Sequence, residues 1–430
     1  MPSCLVGSAV KTFTKRSSLD QVMRILVLSQ YFWPESFRIT EVVESLRHVD
    51  CHVTVLTGQP NYPQGEVFDG FSAAGFGVQQ HESGYSIYRV PLMPRGHGGP
   101  LGLAVNYLSF VLSASLLGPW LLRKQRFDVV LVYAPSPITQ AIPAVWLAFI
   151  KRAKLVTWVQ DLWPESLEAT GFVRSPRVLA LVSVLVRWIY RRCDLLLVQS
   201  QAFIAPVTAM AGKTPVQYHP HPGELASGEA EALAPPALVL EPGFNVVFAG
   251  NLGTVQAMAT VLDAAELLLP HADVRIVLVG SGSRSEWLQQ EVVRRQLDNV
   301  QLAGRFAPEA MPSILVQASV LLVSLARSPV MSQTVPSKVQ AYLAAGKPVI
   351  ASLDGEGARV LEESGAGVSC PAEDSAALAE VVLQLRALPF DALQRMGHAG
   401  QIYYQQHFDP ALLATKLVQH FSWVLAGPKG

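Results

Sequence analysis

Charged residues are scarce in this sequence, and neither sign is in excess. Only 15% of its 430 residues are charged, and 33 basic side chains balance 33 acidic ones. A nucleic-acid partner would need a basic surface, so this balance argues against one. The four cysteines have neither the spacing of a metal site nor that of a disulfide framework, and they fit a reducing compartment. They are Cys4, Cys51, Cys193 and Cys370.

Hydrophobic residues, in contrast, make up half of the chain, and the mean hydropathy is +0.29. The length indicates two or three domains, and the high hydropathy favours contact with a membrane. Residues 1–22 carry Lys11, Lys15 and Arg16 but no long apolar run, so they do not form a secretory signal. We expect 1–22 to be a flexible extension and the fold to begin at Met23.

Short apolar strands alternate with helix-length segments along most of the chain. Six strands are predicted from Ile25–Leu28 to Cys193–Val198, and six more from Val246–Ala249 to Gly367–Ser369. This alternation predicts an α/β protein with two doubly wound parallel sheets. The predicted divisions are a first domain over 23–214, a linker over 215–243, a second domain over 244–409, and a terminal helix with a tail over 410–430.

The segment Leu101–Leu122 contains no charged residue and is long enough to span a bilayer. Its position between two predicted parallel strands favours a crossover helix, since a true span there would split the sheet. Three alternatives remain: a helix lying against a membrane interface, an ordinary buried helix, or a span. Basic residues around it would suit anionic headgroups, and the apolar helix Val178–Tyr190 could join the same surface.

The stretch from Val335 to Ser352 predicts a short helix followed by a buried strand. Ser337 and Lys338 fall in the first helical turn, where free N–H groups and the helix dipole attract anions. Lysine is disfavoured at that end of a helix, so a bound diphosphate would explain it. A solvated lysine on a capped helix is the equally weighted alternative.

Glycine-rich loops follow several strands of the second half. Open α/β sheets bind ligands at the carboxyl ends of their strands, and glycine lets a backbone approach a phosphate closely. Tight-turn geometry alone could also explain each loop. Phe306 could pack beside a base or belong to the core. The donor-side residues predicted here are Gly250, Asn251, Gly253, Gly280, Gly282, Arg305, Phe306, Ser337 and Lys338.

The strand-end loops of the first half are rich in aromatic and acidic residues instead. Trp-Pro-Glu-Ser occurs twice, each time after an apolar strand, and fits sugar recognition by an indole and a carboxylate. A rigid proline turn is the alternative. The predicted acceptor-side residues are Trp33, Glu35, Arg38, Gln160, Trp163 and Glu165, with Asp161 beside them. His219 and His221 favour a structural role over metal binding, and no spaced ligand set indicates a metal.

Taken together, these stretches resemble the retaining glycosyltransferases of family four, in the bacterial polysaccharide branch that includes the fucosamine and colanic-acid transferases. The similarity covers nearly the whole chain from Met23. It is carried by SQYFWPE, VTVLTGQPNYPQG, WVQDLWPES, VFAGNLGTVQA, LVGSGS and VPSKVQAYLAAGKPVIAS. The resemblance implies the GT-B fold: two Rossmann-like domains facing across a cleft, with a C-terminal helix crossing back to the first domain.

The resemblance also implies a function. A nucleotide-sugar donor, UDP-linked rather than GDP-linked, would bind the second domain without a metal. The acceptor would be a lipid-linked saccharide at the inner face of the cell membrane, so that the protein would be cytoplasmic and peripherally bound. Asp161 and Lys338 would be the catalytic residues.

Several positions depart from the wider family. Ser332 and Gln340 stand where many members have two glutamates, and Asn251 and Gln256 stand where many have Arg and Lys. Gln256 and Gln340 are retained as donor-binding predictions, the latter for ribose hydroxyls. A nucleotide-sugar epimerase on the same fold and a non-catalytic membrane scaffold remain as alternatives.

Overall fold

The computed structural model describes residues 22–96, 99–169, 175–223 and 238–427. The predicted flexible extension lies outside these residues except for Val22. So do residues 224–237 of the predicted linker and the last three residues of the predicted tail.

The first domain is built on an eight-stranded sheet with the order β3-β4-β2-β1-β5-β6-β7-β8. Its strands are β1 (Arg24–Leu28), β2 (His52–Thr57), β3 (Gly77–Gln80), β4 (Ser86–Arg89), β5 (Val129–Ala134), β6 (Lys154–Val159), β7 (Leu195–Val198) and β8 (Val216–Tyr218). Its helices are α1 (Ile39–His48), α2 (Pro100–Leu121), α3 (Ala141–Lys151), α4 (Glu165–Ala169), α5 (Pro176–Tyr190) and α6 (Ile204–Ala211).

This sheet has two strands that the sequence did not predict, and both lie at its edges. β3 pairs antiparallel with β4, so the sheet is mixed rather than purely parallel. β8 pairs with β7 inside the range predicted as linker, so the sheet continues past residue 214. Both strands are short and half-exposed, which leaves no buried apolar run to mark them in the sequence.

Alternate residues of the central strands face two different cores. In β1, Leu26 and Leu28 point towards α2, α3 and α5, whereas Ile25 and Val27 point towards α1. This follows from the two-residue period of a strand. The first sheet is therefore covered on both faces, and the two faces carry different sets of helices.

The second domain has a six-stranded parallel sheet with the order β11-β10-β9-β12-β13-β14. Its strands are β9 (Phe244–Ala249), β10 (Val274–Val279), β11 (Val300–Gly304), β12 (Val320–Ser324), β13 (Val349–Ser352) and β14 (Gly367–Cys370). Its helices are α7 (Met258–Leu268), α8 (Ser285–Arg294), α9 (Met311–Leu315), α10 (Ser337–Ala345), α11 (Glu356–Ser364), α12 (Ser375–Arg386) and α13 (Phe390–His407).

The last helix, α14 (Pro410–Ala426), returns to the first domain, as predicted. Leu417, Phe421 and Val424 are buried in the same core as α1 and the first sheet. The chain therefore passes between the domains twice, once after β8 and once between α13 and α14. Two Rossmann-like α/β domains joined in this way form the GT-B arrangement.

Candidate functional site

The glycine-rich loops after β9 and β10 meet at the carboxyl edge of the second sheet. The N–H of Gly250 donates to the carbonyl oxygen of Val279, and the N–H of Gly280 donates to that of Gly304 at the end of β11. A Cβ on Gly280 would collide with the carbonyl oxygen of Gly250. The sequence therefore needs glycine here so that the two backbones can touch, and the edge remains open for a ligand.

Lys338 lies against this glycine edge. It follows Ser337 at the start of α10, where the first N–H groups have no partner within the helix. A Cβ built on Gly250 would lie 2.5 Å from Cε of Lys338, and Gly250 has a φ of +138°. The ammonium group lies 4.9 Å from the ring centre of Phe248. A positive charge, a helix N-terminus and a bare glycine backbone are thus brought together, which is a favourable environment for a diphosphate.

The two amide side chains of the first glycine loop hold that loop in place. Oε1 of Gln256 accepts a hydrogen bond of 3.1 Å from the N–H of Gly253. The Asn251 side chain fills the space between Gly253 and Gly282, since a Cβ on either glycine would lie within 3 Å of it. Where the wider family would place Arg and Lys, these neutral side chains add no positive charge beside Lys338.

The remaining donor-side predictions have different environments. Arg305 is exposed directly after Gly304 at the same edge, and stays a prediction. Phe306 is half-buried against the second-domain core, which favours the core alternative. Gln340 is buried, and its Nε2 donates to the carbonyl oxygen of His221 at 3.2 Å. Its amide donor therefore contacts the chain between the domains, and ribose binding by Gln340 stays a prediction.

A cleft of about 420 Å³ separates the two domains at Asp161. The first domain contributes Asp161, Glu165 and Glu168, and the loop from Ser328 to Thr334 faces them from the second domain. Burial raises the pKa of Asp161, and a backbone N–H donated by Ser136 opposes that effect. The structure thus brings the predicted residues Asp161 and Glu165 to a site between the domains.

In the Ser328–Thr334 loop the sequence singled out only Ser332, as a departure from the wider family, and it did not single out Glu168. The loop follows β12, so the general rule about strand ends would have included it. After Ser328 this loop contains no glycine pair, lysine or arginine, so its sequence did not indicate a binding site.

Burial of Trp163 corrects the prediction that this indole stacks on a sugar, whereas Trp33 is half-buried and stays a predicted acceptor-side residue. Trp163 is buried in the core beneath α3 and α5, and Trp33 packs against the core on the opposite face. Glu35 is also buried; its oxygens accept from the backbone N–H groups of Asn61, Tyr62 and Phe32. These contacts leave the exposed Glu165 as the accessible carboxylate of the two motifs.

Arg38 and the two linker histidines lie where the chain leaves the first domain. Nη1 of Arg38 donates to the carbonyl oxygen of Pro222 at 2.8 Å, so this guanidinium holds the interdomain segment rather than projecting towards an acceptor. Burial keeps the pKa of His219 well below its ordinary value and lowers that of His221 to about 3. Both histidines pack beside Trp158. The structural interpretation of the pair is therefore favoured.

Gln160 is buried next to Asp161. Its Nε2 lies 3.4 Å from the carbonyl oxygen of Trp158, and its Oε1 has no hydrogen-bond partner. It stays a predicted acceptor-side residue. Within the described ranges, no group of three or more His, Cys, Asp or Glu side chains could hold a metal ion.

A second feature of the first domain is a broad apolar surface. Helix α3 packs beside both α2 and α5, and all three cover the same face of the sheet. Their outward side chains are exposed, among them Leu116 (74%), Phe149 (77%) and Leu181 (70%). The segment Leu101–Leu121 has the length and composition to cross a membrane, although 28% of it is buried against the protein.

Comparison with known proteins agrees with the two-domain arrangement. The family described as "Glycosyl transferase 4-like domain" matches residues 36–224, and "Glycosyl transferases group 1" matches residues 243–387. The chain is 25% identical to "Probable glycosyltransferase WbjE" of Pseudomonas aeruginosa, over 73% of this chain and 78% of that protein. It is 24% identical to "Putative colanic acid biosynthesis glycosyl transferase WcaI" of Escherichia coli K12, over 75% and 82%.

Among solved structures, the fold is similar to that of Anabaena HepE in complex with UDP. The TM-score is 0.63 at 15% sequence identity, and the match covers 94% of this chain and all of that one. At this identity the likeness concerns the fold.

Proposed function

Because this chain belongs to the group 1 glycosyltransferases with a GT-B fold, we propose that it transfers a sugar from UDP, with retention, onto a lipid-linked saccharide. The observation that supports this most directly is Lys338 against the bare backbone of Gly250. The Lys338 side chain lies against glycine backbone at the carboxyl edge of the second sheet, which supports a diphosphate contact there. Similarity to a protein named for colanic acid biosynthesis supports a role in cell-surface polysaccharide synthesis.

On the donor side, charge develops on the diphosphate as the bond to the sugar breaks. Lys338 and the N–H groups at the start of α10 would stabilise that charge without reorganising, which is the usual source of catalysis by fixed dipoles and cations. Ser337 is exposed beside them and can donate a hydroxyl hydrogen bond. No metal is needed for this arrangement. UDP is preferred over GDP because a related fold has been solved with UDP.

On the acceptor side, Asp161 and Glu165 would face the transferred sugar across the cleft. Burial raises the pKa of Asp161, which favours hydrogen bonding and proton exchange with sugar hydroxyls. Because a cleft of this size lies between domains, closing them would exclude water from the reacting sugar.

The three-helix apolar surface supports a location at the inner face of the cytoplasmic membrane. Trp120, Trp146 and Trp188 are exposed on it, and indoles favour the headgroup level of a bilayer. Exposed basic side chains follow the carboxyl ends of its helices and would attract anionic lipids. They are Arg123, Lys124 and Arg126 after α2, Arg152 after α3, and Arg191 and Arg192 after α5.

The donor site is tested by thermal shift of the purified protein with UDP, GDP and ADP. A ligand that binds only the folded state adds about 2.7 kcal/mol of stability at 100 times its Kd. We expect a shift with UDP that is lost in Lys338→Ala and kept in Lys213→Ala, an exposed lysine of the first domain. No shift with any nucleotide would refute the donor site and favour the scaffold alternative. Retention is then read from the anomeric configuration of the product.

Membrane binding is tested by co-sedimentation with vesicles of phosphatidylglycerol and of phosphatidylcholine. We expect binding to the anionic vesicles that weakens with salt and is lost in Leu116→Asp. Val293→Asp, at a similarly exposed position of the second domain, should bind like the wild type. Equal binding by Leu116→Asp and the wild type would exclude this surface.

A further inference from the structure

We propose that Tyr31, Phe37 and Tyr62, together with Arg95, form the subsite that receives the acceptor saccharide and its phosphate link. This inference rests on the proposed transfer to a lipid-linked saccharide. These four residues are called the aromatic shelf below. Tyr31 and Phe37 flank the first Trp-Pro-Glu-Ser motif in the loop after β1, and Tyr62 lies in the loop after β2.

The three rings of the shelf contact one another. Tyr31 stacks on Phe37 with ring centres 5.2 Å apart, and Tyr62 lies 5.9 Å from Tyr31 and 5.1 Å from Phe37. Tyr31 is buried, whereas Phe37 is half-buried and Tyr62 is 39% exposed. Rings held by their neighbours lose little entropy when they bind, and an exposed aromatic face can stack on the C–H face of a sugar.

The shelf lies beside α2, at the carboxyl edge of the first sheet. The Tyr31 hydroxyl donates to Oδ1 of Asn106 on α2 at 3.2 Å, and it is also hydrogen-bonded to Tyr107. Burial raises the pKa of Tyr107, Arg95 lowers it, and the charge of Asp161 raises it. Tyr31 and Tyr62 follow β1 and β2, and Asp161 follows β6, so the shelf and the proposed catalytic carboxylate share the carboxyl edge of the first sheet.

The charge of Arg95 is available to an anion. Its guanidinium lies over the Tyr62 ring at 5.1 Å, and its backbone N–H donates to Oδ1 of Asn61. Among the described residues, no ion pair joins Arg95 to a carboxylate. Guanidinium groups bind phosphate with two parallel hydrogen bonds. In the sequence, Arg95 lies five residues before the first residue of the apolar helix α2, along which a lipid chain could lie.

The apolar helix, the guanidinium group and the aromatic rings follow the same order as the lipid, phosphate and sugar of the acceptor. The exposed apolar residues of α2 would contact the lipid, Arg95 the phosphate link, and the aromatic rings the sugar. A free nucleotide does not fit this order, since it has no apolar chain, and its phosphates already have the glycine edge of the second domain. The shelf would therefore supply saccharide contacts that the buried indole of Trp163 cannot make.

The test uses two probes, an octyl hexoside and the same hexose linked through a diphosphate to a farnesyl chain. Binding is measured by ligand-observed NMR on the full chain, with UDP thermal shift in parallel. We expect Tyr62→Ala to weaken both probes about tenfold, as expected for the loss of one aromatic stacking contact. Tyr62→Phe should restore binding. Arg95→Gln should weaken only the diphosphate-linked probe. Phe390→Ala and Arg395→Gln, exposed residues of the second domain, are the matched controls.

The UDP shift should be unchanged in all of these variants, which separates this subsite from the donor site. If UDP does not raise the Tm of the wild type, that result would count against the proposed function and not against the shelf. The shelf is excluded if Tyr62→Ala binds both probes like the wild type, or if the wild type binds neither. Equal loss of the two probes in Arg95→Gln would exclude the phosphate role of that residue.

Discussion

The buried carboxyl group of Glu35 makes a specific prediction about the pH dependence of stability. Burial raises its pKa to about 7, although three backbone N–H donors and the charge of Arg89 lower it. Those donors belong to Phe32, Asn61 and Tyr62, so the group joins the loops after β1 and β2. Its protonation state therefore affects the base of the aromatic shelf as well as the fold.

The sign follows from comparing the two states. The unfolded group has the ordinary pKa of 4.5, so between pH 4.5 and 7 the folded state holds more protons. Stability from this group is therefore fully present below pH 4.5 and is lost as the pH rises to about 7. One pKa unit corresponds to about 1.36 kcal/mol, so a difference of about 2.5 changes the free energy of unfolding by about 3 kcal/mol. Glu35 is almost fully buried, so solvent screens little of this.

Glu35→Gln removes the ionisation but keeps an oxygen that can accept from Asn61 and Tyr62. Its NH₂ group would face the N–H of Phe32, and two donors cannot form a hydrogen bond. The loss of that hydrogen bond costs about 1 kcal/mol of stability. We expect the variant to be less stable than the wild type at pH 4.5 and more stable at pH 8. For a domain of this size, 3 kcal/mol corresponds to a relative change in Tm of about 6–12 °C.

Scanning calorimetry of both proteins from pH 4.5 to 8 measures this relative change. Taking the difference between the two curves removes the effect of every other titrating group. Glu82→Gln, an exposed carboxylate of the same domain, is the control and should keep the wild-type pH dependence. Parallel curves for Glu35→Gln and the wild type would refute the reasoning, since they would mean that Glu35 is ionised throughout.

Three further outcomes are expected. Gly250→Ala should weaken UDP binding at least tenfold, because the added Cβ would displace Lys338. Gly365 also has a positive φ but no close neighbours, so Gly365→Ala should leave UDP binding unchanged. Titration of each variant with UDP measures the difference. Asp161→Asn should keep the UDP thermal shift but lower turnover about 100-fold, as measured by donor consumption with acceptor. Phe421→Ala should destabilise the first domain by about 3–5 kcal/mol, seen as a lower Tm, because its ring is fully buried in that core.

Much of the fold follows from the sequence because buried parallel strands are continuous apolar runs. β6 and β10 have the predicted bounds, Lys154–Val159 and Val274–Val279. The edge strands β3 and β8 were missed because half-exposed residues of mixed polarity have no such signal. The glycine edge was also predictable, since Gly250 and Gly280 follow strands directly and cannot be replaced without a collision.

The first-domain site was harder to predict because the type of a residue does not determine which way its side chain points. Trp33 and Trp163 have the residue type that sugar sites use, but both ring systems pack inwards. Tyr31 and Tyr62 are 31 residues apart in the sequence, and only the packing of the β1 and β2 loops brings their rings together. A motif defined by neighbouring residues could not include that pair.

Two residues predicted to bind ligands also contact the segment between the domains, and this bears on how the cleft works. Arg38 holds Pro222 from the first domain, and Gln340 holds His221 from the second. The N–H of Gly223 donates to Phe408, so the two crossings of the chain also contact each other. Gln340 lies on α10, the helix that begins with Lys338. A hydrogen bond therefore joins the interdomain segment to the helix that carries the proposed diphosphate contact, so that donor binding and cleft closure would share one element.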